Sequence, residues 1–171
     1  MNRQAQKEFF EKVDRMMEWM PRFMKAALKN PAHWGHTDLH LYTEDTELQR
    51  RLKKDGNKSK YTPFASSCFQ MKSMRELIDF LLPQILDEDI LYEISCWWCE
   101  HKTKEYPLIL NCEEVIGKCF ETSRTHEWKN GAIPCKDILI LIRANSGPEF
   151  KPWIETAYPI SERTLQSENW F

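Results

Sequence analysis

The residues best equipped for chemistry fall in two short stretches far apart in the chain. His40 and Arg51 stand eleven positions apart near the front, and Thr156-Ala157-Tyr158-Pro159 lies near the end. They supply a titratable imidazole, a fixed guanidinium and two hydroxyls. That set can cleave a phosphodiester without a metal. The imidazole moves protons near neutral pH, the guanidinium holds a phosphate and its developing charge, and the hydroxyls orient or share a proton.

Such a set needs a scaffold, and composition favours one domain over residues 1–171. With 42% hydrophobic residues and seven Trp, 171 residues can bury a substantial core. The net charge of −2 gives no global attraction to nucleic acid. Any RNA contact therefore needs a local basic patch. Arg50, Arg51, Lys53, Lys54, Lys58 and Lys60 form one beside the His40/Arg51 pair, although such a run also suits a solvated loop. No apolar run is long enough for a membrane span, and Glu8, Glu11, Lys12, Asp14 and Arg15 interrupt any signal-peptide core.

The six cysteines are irregularly spaced and fit free thiols as well as disulfides, with the reduced form favoured. Cys96-Trp97-Trp98-Cys99 could hold zinc or exchange electrons, with Cys112, Cys119, His101 or His126 as further ligands. It lacks the second tight pair of a structural zinc site and closes a helix instead of opening one. No metal or cofactor is expected.

Residues 1–60 read as a helical front that carries the His/Arg pair. Apolar residues from Phe9 to Leu28 recur at steps of three and four, with Pro21 as a break or kink, and Asn30-Pro31 ends the segment. Thr43 is placed to cap a short helix bearing Leu48, Arg50, Arg51 and Leu52. Residues 61–171 read as helices followed by an antiparallel sheet. Ser66-Ser67-Cys68-Phe69 leads into a helix with Met71, Met74, Leu77, Ile78, Leu81 and Leu82 inward, and Ser73-x-x-Glu76 offers a capping box. Asp87, Glu88 and Asp89 open the next helix, with Ile90, Ile94, Trp97 and Trp98 as its buried side.

Beyond it the period changes. Tyr106 to Leu110, Val115 to Phe120, Ile138 to Ile142 and Trp153 to Tyr158 are strand-like, and Ile138 to Ile142, apolar on both faces, should be central. Simple alternation sets Ile154, Thr156 and Tyr158 on one face of the last strand.

Read in order, His40, Thr43, Leu48-x-x-Arg51-Leu52, Ala65-Ser66-Ser67-x-Phe69, Ile94-x-x-Trp97, Ile116-Gly117, an aliphatic strand and Thr156-Ala157-Tyr158-Pro159 form a pattern. It resembles the RNase A-like toxin domains at the C-termini of bacterial contact-dependent growth inhibition proteins, over about residues 33 to 160. The resemblance implies an α+β fold with N-terminal helices on a small antiparallel sheet, two-lobed around a central cleft. It implies a metal-independent ribonuclease of the barnase/EndoU/colicin/RelE class, making a 2′,3′-cyclic phosphate and a free 5′-OH.

Carried across, it assigns catalysis to His40, Arg51, Thr156 and Tyr158, and substrate binding to Arg50, Lys53, Lys54 and Ser67. His36 and His126 are reserves for a second catalytic histidine. The implied partners are RNA, with tRNA as one candidate, and a cognate immunity protein. The implied place of action is the cytoplasm of a target bacterium, reached as part of a larger delivered protein or as an orphan toxin.

Three other readings compete with it. The runner-up is a non-enzymatic interaction module using a Met/Trp-rich surface. An ADP-ribosyltransferase would need a paired acidic motif on the late strand, where Glu155 has Ala157 two residues on. A small zinc module would hold metal.

Overall fold

The computed structural model describes residues 2–30, 34–35, 37–55, 64–100, 105–122, 131–145 and 151–167. The helical front begins with α1 (Arg3–Met17), capped where the Asn2 side chain accepts from the Ala5 N–H at 2.8 Å. Helix α2 (Met20–Leu28) follows at once. Pro21 stands in the first turn of α2, where its missing N–H costs nothing, so the chain breaks there and restarts.

A 3-10 turn, Thr37–His40, precedes α3 (Asp45–Asp55). The helix opens at Asp45, with the Leu48 N–H bonded to the Glu44 carbonyl, so Thr43 lies outside it and does not cap it. Helix α4 (Met74–Ile85) is capped by Ser73, whose Oγ accepts from the Glu76 N–H at 3.2 Å, while the Glu76 carboxylate accepts from the Lys72 N–H at 2.8 Å. Glu88 and Asp89 sit in the first turn of α5 (Glu88–Glu100), where the helix dipole favours negative charge.

The strands are β1 (Phe64–Phe69), β2 (Glu105–Asn111), β3 (Gly117–Thr122), β4 (Ile133–Cys135), β5 (Asp137–Ala144) and β6 (Pro152–Ile160), and α6 (Glu162–Ser167) follows them. The architecture is α+β, as the sequence suggested. The single sheet that was expected is, among the described residues, two antiparallel sheets of order β1-β3-β4 and β2-β5-β6. Strand β1 precedes α4 and α5, which corrects the order of helices followed by sheet. Ser66, Ser67, Cys68 and Phe69 are all buried, so β1 offers no alternation to recognise. The aliphatic run of β5 is central to its sheet, as its two apolar faces required.

The last strand departs from simple alternation. The β5–β6 register runs Leu141 to Thr156 and then Ile142 to Ile154, leaving Glu155 as an extra residue. The bulge puts Ile154 on the core side with Ala157, and both are fully buried. Thr156 and Tyr158 are half-buried and flank Ala157 on the opposite side.

The helices α2, α4 and α5 pack on β2-β5-β6 through one core that includes Met24, Leu77, Ile94, Ile140 and Ile154. Helix α3 instead covers the other sheet, where Leu48 and Leu52 meet Cys68 of β1 and Phe120 of β3. Burying each leucine contributes about 1.5–3 kcal/mol. The sheets meet at Gly117. A Cβ there would stand 2.5 Å from the Cys68 carbonyl oxygen and 2.6 Å from Pro159 Cγ, so only glycine lets β1, β3 and β6 approach.

Candidate catalytic site

The Thr37–His40 turn is fixed to β6 by groups other than His40. Thr37 is fully buried, and its Oγ1 accepts from the Ala157 N–H at 2.8 Å, satisfying a donor on the outer edge of the sheet. Trp34, almost fully buried, bonds through Nε1 to the Ala27 carbonyl and accepts the Thr37 N–H. Gly35 has φ +47° and presses on the Glu155 carbonyl, where no side chain fits.

His40 closes this turn. Its Nδ1 lies 3.0 Å from the Ser67 carbonyl oxygen and 3.5 Å from the Ser67 Oγ. A carbonyl oxygen can only accept, so Nδ1 carries the proton and the neutral ring keeps its basic lone pair on Nε2. The imidazole lies over the Tyr158 ring, with centroids 5.2 Å apart and planes inclined by 32°. The last strand thus brings Tyr158 to the histidine. The hydroxyl of Thr156, two residues along on the same side, makes no hydrogen bond among the described residues.

Arg51 reaches the site from the flank of α3. Its NH1 donates to the Leu39 carbonyl, beside His40, and its Nε donates to Glu47 at 3.0 Å. Two of five donors are used in this way, and among the described residues the others have no partner. Glu47 also takes a two-pronged bond from Arg50, at 2.6 and 2.7 Å. Hydrogen bonds from Arg50 and then Arg51 hold the Glu47 carboxyl at about 2, well below the ordinary 4.5. Glu47 was missed in the sequence, although Glu-x-x-Arg-Arg at helical spacing carries the signal.

His40, Ser67, Tyr158 and Arg51 therefore converge, Thr156 shares the Tyr158 side, and Arg50 stands at the exposed rim. Ser67 is buried behind the imidazole. Lys53 and Lys54 lie on α3, but their side chains are outside the described parts, and His36 and His126 are outside the described residues.

The competing motifs are occupied otherwise. Cys96 and Cys99 lie within α5, and burial pushes both thiols up, away from reactive thiolate. Glu155 is bound to Arg143 and to the Trp153 indole. Met20, Met24 and Trp34 belong to the core and not to a surface. Among the described residues no helix is long and apolar enough to cross a membrane.

No protein-family model matches the chain, and no curated protein matches it. The fold is similar to that of a chain in the crystal structure of the CdiA-CT/CdiI complex from Y. kristensenii 33638. The TM-score is 0.54 and the identity 17%, over 73% of this chain and 97% of that one. At that identity the likeness is one of fold.

Proposed function

We propose that the protein is a metal-independent ribonuclease of the contact-dependent growth inhibition type. The observation that carries this reading is the imidazole of His40, fixed through Nδ1 to a strand carbonyl and laid against Tyr158, with the Arg51 guanidinium bonded to the neighbouring residue. The fold shared with a chain of a CdiA-CT/CdiI complex supports it independently.

In this reading, His40 Nε2 takes the proton of a ribose 2′-OH, and O2′ attacks the adjacent phosphorus. The P–O5′ bond breaks as the O2′–P bond forms. Arg51 stabilises the charge developing on the non-bridging oxygens, Thr156 orients the phosphate, and the Tyr158 hydroxyl donates a proton to the departing O5′. The products are a 2′,3′-cyclic phosphate and a free 5′-OH. Arg50, Lys53 and Lys54 would hold the strand, with tRNA as one candidate substrate. A cognate immunity protein would cover this site until the toxin acts in the cytoplasm of a target bacterium.

A deoxy-oligonucleotide carrying a single ribonucleotide tests the reaction class. Cutting on the 3′ side of the ribose, with the all-deoxy strand untouched, is the expected result. Cutting of the all-deoxy strand would contradict it.

A further inference from the structure

A groove of about 470 Å³ opens beside the His40 turn, lined by Tyr42, Phe69, Gln70, Val115, Lys118 and Pro134 among others. Its size is in the range of small-ligand sites. Tyr42 follows His40 by two residues, so the groove begins within about 7 Å of chain from the imidazole residue. The Tyr42 N–H donates to the Met71 carbonyl at 2.8 Å, which fixes the start of the side chain, and the residue remains 43% exposed. Its hydroxyl donates to Glu44 at 3.0 Å, a bond that raises the phenol's pKa and keeps the ring neutral.

The ammonium groups of Lys72 and Lys118 each lie 5.6 Å from the Tyr42 ring centroid. Lys118 is held there by Asp45. The Gln70 main-chain N–H is taken by Ile116, while its exposed carboxamide makes no hydrogen bond among the described residues. That leaves both donors and acceptors available to a ligand.

An apolar slot with one exposed aromatic ring and one uncommitted carboxamide suits a flat heteroaromatic group. Lys118, the one charged residue of the lining among the described residues, is already paired with Asp45, which weakens its pull on a polyanion. Affinity must come from stacking and edge contacts. We infer that this groove is a nucleobase subsite for single-stranded RNA beside the bond at His40, with Tyr42 as the stacking platform and Gln70 contacting the base edge. The inference rests on the ribonuclease reading for its place along the strand.

The test is fluorescence anisotropy of fluorescein-labelled RNA homo-oligomers with His40→Ala protein, so that binding is read without cleavage. Adding Tyr42→Ala should weaken binding about 5- to 150-fold, while Tyr42→Phe should stay near the parent. Adding Gln70→Leu should narrow the spread of affinities among the four homo-oligomers. Because Tyr42 and Gln70 are exposed, unchanged thermal melting should show that each variant folds. Equal affinity for the parent and Tyr42→Ala, or no binding to any protein, would overturn the subsite. If protein with His40 intact leaves RNA uncut while binding still depends on Tyr42, the ribonuclease reading fails and the base-binding groove stands.

Discussion

The imidazole Nδ1 of His40 lies 3.0 Å from the carbonyl oxygen of Ser67, a residue 27 positions away on a different element. Ser67 is paired with Cys119 across the β1–β3 ladder, so the acceptor belongs to rigid sheet. The contact fixes both ring orientation and tautomer with a main-chain atom that no side-chain substitution removes. The other face of the site is supplied by β6, whose Tyr158 lies against the same ring. A histidine between two sheets is held from both sides, the preorganisation that the proposed proton transfer on a phosphodiester requires.

Tyr158→Phe separates the ring from its hydroxyl. The variant keeps the ring over His40 and loses only the hydroxyl, and thermal melting should show that it still folds. Its kcat on RNA should fall about 10²-fold, the usual scale for a proton donor. An unchanged kcat would remove the hydroxyl from the mechanism.

Arg51→Lys keeps the charge and loses the planar fork. A lysine ammonium has three donors at one point, so bonds to Glu47 and the Leu39 carbonyl would leave at most one and no planar pair to grip a phosphate. The expected result is a loss of about 10²-fold in kcat with little change in KM. Full activity in the lysine variant would mean that charge alone is needed at this position.

Thr37→Val tests the anchor of the His40 turn. Valine fills the same volume but leaves the Ala157 N–H without its acceptor in a fully buried place. Urea unfolding should show a loss of about 1–3 kcal/mol. Activity at a temperature where the variant is folded should also fall, because the turn carries His40. Unchanged stability would mean that the edge of β6 needs no such acceptor.

The Glu47–arginine cluster has a definite pH dependence. Glu47 titrates at about 2 in the folded protein against an ordinary value of 4.5, so its contribution is fully present above 4.5 and disappears as pH falls towards 2. The stability difference between wild type and Glu47→Gln should therefore be flat above about pH 5 and vanish in acid. Because Glu47 is on the surface, high salt should shrink it. A carboxyl titration observed by NMR with its midpoint near 4.5 would show that the cluster does not hold in solution.

Much of this fold is legible in local patterns, and the rest depends on partners distant in sequence. Helices α4 and α5 announce themselves by period, by Ser73 and by the acidic start of α5. The central place of β5 follows from its unbroken aliphatic run. Strand β1 is hidden because Ser66 and Ser67 are polar yet buried, and β4 because it is three residues long with Pro134 in its middle. The Glu155 bulge is set by register against β5, and no residue in β6 reports it. At the site, His40, Arg51 and Tyr158 stand out by residue type and order. The roles of the Ser67 carbonyl and the Thr37 hydroxyl appear only when the chain is folded, since both act on groups more than twenty residues away.

Metal-independent cleavage that depends on His40 is measured by incubating wild-type protein and His40→Ala with total RNA in excess chelator, resolving the products on a denaturing gel and identifying their ends. Wild type should give fragments ending in 2′,3′-cyclic phosphate, and the variant should cleave at least about 10²-fold more slowly. Intact RNA with both proteins, equal cleavage by both, or cleavage only after a divalent metal is restored would contradict metal-independent catalysis by His40.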